Sequence, residues 1–169
     1  MSESSPPNPS RLIAAVSLAT IASVFPGLAS GALAVQASAD FDVSEGTYGW
    51  ALGSFFIGAA VTSLPLGRLA QRLGPRRQLL IGLTATVAIQ LTIALLVSSF
   101  GQMLAMLALA GVANSGVQSA VNLALTQASL PRLGLAIATK QAAMPGSAMI
   151  GGLAVPVVAL TLGWRWSYV

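Results

Sequence analysis

The chain of 169 residues contains no cysteine, no histidine and only four acidic residues. Without thiols there are no disulfides, no thiolate catalysis and no haem attachment, and without histidine the usual zinc ligand sets are gone as well. Enzyme chemistry is left with serines and one lysine, Lys140, and no carboxylate lies inside an apolar run to pair with them. No catalytic site, no cofactor and no metal are therefore expected. Charged residues make up 7% of the chain, too few to cover a soluble domain of this size. Apolar residues are plentiful, at 55%, and mean hydropathy is +0.80. They fall in runs of about 20 residues, the length a helix needs to cross a hydrocarbon core roughly 30 Å thick. The expected class is an all-α integral membrane protein. A net charge of +4 does not argue for nucleic acid here. The bases cap apolar runs, where they set orientation in a bilayer.

Met1 to Ser10, rich in Ser and Pro, reads as a disordered tail. Spans are expected at about 12–35, 48–66, 79–97, 103–125 and 134–162. Ala37-Ser38-Ala39 has the small-residue pattern of a signal-peptidase site, but the apolar stretch before it exceeds a signal peptide's core and further spans follow. Ser23, Gly27 and Gly31 in the first span, and Ser54, Gly58 and Thr62 in the second, recur every four residues as small faces where helices approach closely. Pro26, Pro145 and Pro156 fall inside spans and suggest kinks, and Pro131 suits a helix start. Arg11, Arg68, Arg72, Arg76, Arg77 and Arg132 all fall on one face of the membrane, whereas Asp40, Asp42, Glu45 and Arg165 fall on the other. The positive-inside rule then places the N-terminus in the cytoplasm.

The basic stretch Gly67-Arg68-Leu69-Ala70-Gln71-Arg72-Leu73-Gly74-Pro75-Arg76-Arg77 joins the second and third spans and reads as a short cationic turn. It resembles the signature loop of the major facilitator superfamily, Gly-x-Leu-Ala-Asp-Arg-x-Gly-Arg-Arg, at Gly67, Leu69, Ala70, Arg72, Gly74 and the Arg76-Arg77 pair after Pro75. Gly163-Trp164-Arg165-Trp166 is similar to the end of the fifth helix in many bacterial members. The loop's usual Asp is Gln71, an arginine of the fourth helix is replaced by Val112, and the antiporter motif is only loosely echoed by Pro145-Gly146 and Gly151-Gly152. Lys140 to Pro145 resembles a stretch in bacterial permeases for cyanate and similar small solutes. The resemblance implies a secondary transporter of a small solute in the bacterial inner membrane, working by alternating access. The family has twelve helices in two halves. This chain would then hold five of the six helices of the N-terminal half in residues 11–169, and would lack the sixth helix and the C-terminal half as its partner.

Two groups of candidate site residues follow. Asn114, Gln118 and Asn122 form a polar stripe at i, i+4, i+8 in the fourth span. Lipid offers amides no partner, so the stripe faces either a water-filled cavity or a neighbouring helix. In the resembled fold the first and fourth helices line the central cavity, which implies a solute-binding role. Lys140, eight residues past Arg132, would sit well inside the fifth span beside Gln141, either attracting an anionic solute or snorkelling to the headgroups. The resemblance makes Gly67, Gln71, Arg72, Gly74, Arg76 and Arg77 the gating segment; as residues alone, the arginines equally suit topology anchors on anionic lipid. The alternative to transport is a five-helix membrane scaffold that assembles through its small-residue faces.

Overall fold

The computed structural model describes residues 9–128, 130 and 132–168. The tail expected at 1–10 falls outside this range as far as residue 8, and the helix start expected at Pro131 also lies outside the described residues. Six α-helices follow one another: α1 (Pro9–Ala32), α2 (Ala34–Asp40), α3 (Glu45–Leu73), α4 (Pro75–Leu96), α5 (Phe100–Gln127) and α6 (Leu133–Ala154). A π-helical turn, Val155–Ala159, prolongs α6, and a 3₁₀ turn, Trp164–Tyr168, closes the described chain. Five helices are long and apolar enough to cross a membrane. The short α2 extends the first of them past a break at Leu33.

Local chemistry explains the boundaries. Ser44 caps α3 in extended conformation and accepts a hydrogen bond from the Thr47 amide. Ser99 does the same for α5 by accepting from Gln102 N, while the Gln102 side chain reaches back to accept from Ser98 N. At the other end of α3 the basic stretch is not an extended turn. The helix runs on through Gly67, Gln71 and Arg72 to Leu73, and the direction changes at Gly74 alone, whose φ of +79° suits a residue without a Cβ. Pro75 then opens α4, where its missing N–H costs nothing. The π turn that ends α6 surrounds Pro156, which cannot donate the regular i→i−4 bond. By contrast, α1 and α6 run through Pro26 and Pro145 without interruption.

The packing centres on α5, which lies against α3 and α4, while α6 packs on α1, and α1 in turn meets α5 and α3. Glycines set these seams. A Cβ on Gly58 would strike the carbonyl of Ala108, and one on Gly111 would strike the carbonyl of Phe55, so α3 and α5 touch backbone to backbone. A Cβ on Gly27 would come within 2.6 Å of the Phe55 ring, and one on Gly82 within 2.6 Å of Val117. The centre of the bundle is therefore α5, with twelve buried residues from Met103 to Leu125, while α3, α4 and α6 turn Val61, Leu80, Ile81, Leu95, Met149 and Leu153 outward as an exposed apolar surface.

Asp40, Asp42, Glu45 and Arg165 gather at one end of the bundle. There Arg165 pairs with Asp40 at 2.9 Å, donates to the Val97 carbonyl and stacks over the Trp164 ring at 4.9 Å. Trp164 Nε1 also donates to Asp40 at 3.2 Å. This clasp ties the ends of α2, α4 and the 3₁₀ turn together.

Candidate functional site

The polar stripe of α5 divides between two neighbours. Asn114 lies midway along α5 and Ser23 well inside α1. Ser23 Oγ is 3.0 Å from Asn114 Oδ1, to which Gln118 Nε2 also donates at 3.3 Å. Gln118 Nε2 lies 3.5 Å from Ser23 Oγ as well. Ser23 and Asn114 are buried and Gln118 half-buried. Within the cluster, Gln118 Oε1 is buried without a hydrogen-bond partner, one of seven such side-chain atoms among the described residues. A fully satisfied cluster would be ordinary interhelical glue. This one orphaned acceptor leaves hydrogen-bonding capacity for a water or a solute.

Asn122, two α-helical steps of four further along, has turned away from that cluster. Each such step advances about 40° beyond a full turn, so two steps carry it to the flank of α5. There Asn122 Oδ1 accepts a hydrogen bond at 3.2 Å from Lys140 Nζ on α6. Lys140 is 5% exposed and lies seven residues into α6, roughly 10 Å from its start. The one ion pair among the described residues is the Asp40–Arg165 clasp at the far end of the bundle. The ammonium therefore has an amide oxygen for company and no carboxylate.

Asn122 also lines a cleft of about 380 Å³ between α3 and α5. Gly67, Arg68 and Gln71 line it from α3, facing Ser119, Asn122 and Thr126 on α5. Two elements of the signature segment, Gly67 and Gln71, thus share one cleft with the residue that holds Lys140. Gly67 is helical, and a Cβ there would meet Ser119 Oγ on the facing wall at 4.0 Å, an ordinary contact distance. Arg72, Arg76 and Arg77 are exposed around Gly74 and do not line this cleft. Gln141 is exposed on α6, apart from Asn114 and Gln118.

Sequence reasoning missed Ser23 as a hydrogen-bonding member of the cluster, reading it as a small residue in a Gly series. It also missed Gln78. This amide is 3% exposed and donates both its N–H groups, to the Leu66 carbonyl of α3 at 2.9 Å and to the Gly116 carbonyl of α5 at 3.0 Å. A glutamine in the first turns of an otherwise apolar span was the available signal.

A family model described as Major Facilitator Superfamily matches residues 10–169, nearly the whole chain. No curated protein matches the sequence. The family match covers all five span-length helices together with the signature segment around Gly74, and the chain therefore belongs to the major facilitator superfamily, multi-pass membrane transporters of small solutes.

Proposed function

We propose that the protein acts in secondary active transport of a small anionic solute across a bacterial inner membrane by alternating access, with its basic end in the cytoplasm. The observation that carries the reading is the Lys140 ammonium, buried within a span, bonded to Asn122 and lacking a carboxylate among the described residues. A base costs about 2.5–3.5 kcal/mol at a span centre and less toward the ends, and Lys140 lies roughly 10 Å in from the start of α6. Bases at such positions are rare and mark solute or ion pathways, which favours a bound anion here over a lysine that only snorkels to the headgroups. Arg68 in the cleft adds a second positive charge on the approach to Asn122. The Ser23–Asn114–Gln118 cluster deeper in the bundle then supplies neutral donors and acceptors, with Gln118 Oε1 still free to accept. In the carrier, the face that bears the cleft meets the second half of the transporter fold, and rocking of the halves exposes the cluster to each side in turn.

The scaffold alternative needs free small-residue faces. Gly27, Gly58, Gly82 and Gly111 instead pack against helices of this same chain, which favours transport. The test is uptake into vesicles by the intact carrier, with small mono- and dianions compared against neutral analogues of the same size. Gln118→Leu should reduce uptake of the true substrate at least tenfold, since an apolar pocket wall leaves the solute's polar group unpaired. Equal uptake by wild type and variant, or a preference for neutral solutes, would overturn the reading.

A further inference from the structure

A second concavity lies on the opposite side of α3, open to the lipid-facing surface. It is a groove of about 260 Å³ between α3 and α4 with α5 as its floor. Its walls are Leu69 and Leu73 of α3, Ile81 and Ile89 of α4, and Leu109 and Val112 of α5. Leu69, Leu80, Ile81 and Leu109 are exposed around it, so the groove continues the surface that meets acyl chains. At its basic end sits Gln78, with both N–H groups committed to Leu66 and Gly116 and with Oε1 buried and unpartnered.

Two arginines lie just beyond the groove, next in sequence to its lining residues Leu73 and Gln78. Arg72 follows the lining Leu69 by three residues in the last turn of α3, and Arg77 precedes the lining Ile81 by four in the first turn of α4. Arg77 thus shares a helix face with Ile81, and Arg72, three residues from Leu69 and four from Arg68, lies between the faces of the two concavities; each arginine is one turn nearer the membrane surface than those lining residues. Both are exposed, and neither has an ion pair among the described residues. They flank Gly74, the one residue where α3 gives way to α4.

We propose that this groove is a binding site for one anionic phospholipid, with an acyl chain between α3 and α4 and the phosphate on Arg72 and Arg77. Acyl chain burial does not select the lipid, because a tail leaving the bilayer for the groove exchanges one apolar environment for another. Selection comes from charge. Two interfacial arginines favour a net-negative headgroup over a zwitterionic one by roughly ten- to thirtyfold. A phosphate bridging the two guanidinium groups also fixes the angle at Gly74, so lipid composition sets how freely α3 and α4 move against each other. This inference stands independently of which solute the protein carries.

The test is native mass spectrometry of the protein released from vesicles holding equal parts of phosphatidylglycerol and phosphatidylcholine. The expected result is one retained phosphatidylglycerol per chain, at least tenfold over phosphatidylcholine and not displaced by millimolar inorganic phosphate. The double substitution Arg72→Gln with Arg77→Gln, at exposed positions that leave the fold intact, should bring the two lipids within about twofold of each other. Arg68→Gln, in the separate polar cleft, should leave the preference unchanged. Narrowing the groove with Ala85→Leu should remove the retained lipid altogether. Equal retention of both lipids by the wild type would overturn the proposal. So would a preference that survives the double substitution, or one that is lost with Arg68→Gln.

Discussion

Replacing Lys140 by Gln should raise stability and lower transport together, an opposition that few single substitutions produce. The ammonium sits roughly 10 Å inside α6, where removing its charge relieves part of the 2.5–3.5 kcal/mol or so that a base costs at the span centre. Its one hydrogen bond, to Asn122 Oδ1 at 3.2 Å, can be kept by the amide of Gln. A net gain of about 1–2 kcal/mol is expected, read as a shift of the unfolding midpoint in mixed detergent micelles. For the solute the sign reverses. A charged hydrogen bond contributes about 1.5–3 kcal/mol, so KM for the anionic substrate should rise by roughly ten- to a hundredfold. Lys140→Arg should retain most of the affinity because it retains the charge. If Lys140→Gln lowers stability and leaves KM unchanged, the lysine is a structural tie between α6 and α5 and the anion argument fails.

Two further substitutions test the packing. Gly58→Ala and Gly111→Ala should each destabilise by about 2 kcal/mol or more, because the new methyl meets backbone carbonyl rather than a side chain that can move. Gly146→Ala, with nothing near its Cβ position, should instead be neutral or gain up to about 1 kcal/mol from helix propensity, with the same unfolding assay deciding. At the acidic end, Asp40→Asn should cost less than about 1 kcal/mol, since the pair is partly exposed. Arg165→Ala should cost more, about 1–2 kcal/mol, because it also drops the bond to the Val97 carbonyl and the stacking on Trp164. Equal losses for the two would contradict this account of the clasp.

The number of spans was legible because hydropathy and the placement of bases agree along the whole chain. Boundaries were less so. Charged and Gly/Pro-rich residues from Gly67 to Arg77 carry loop signals, yet α3 continues to Leu73 because long guanidinium side chains reach the interface from a helix end without breaking it. In the fifth span, Pro156 has a visible effect and Pro145 none, a difference the sequence does not contain. The stripe Asn114, Gln118, Asn122 was legible as a pattern, but its splitting was not. Two steps of drift carry Asn122 to another neighbour, and only the positions of α1 and α6 reveal that one end meets Ser23 and the other Lys140. The orphaned Oε1 atoms of Gln118 and Gln78 are likewise products of packing, invisible until three helices are placed.

Because these 169 residues hold no cysteine, a thiol introduced by Gln118→Cys reports on one place once any cysteine in the rest of the intact carrier has been replaced. In vesicles containing the intact carrier, a membrane-impermeant thiol reagent should reach that position from each side of the membrane in separate experiments. Labelling from neither side, or from one side only whatever the solute, would contradict alternating access around the α1–α5 cluster.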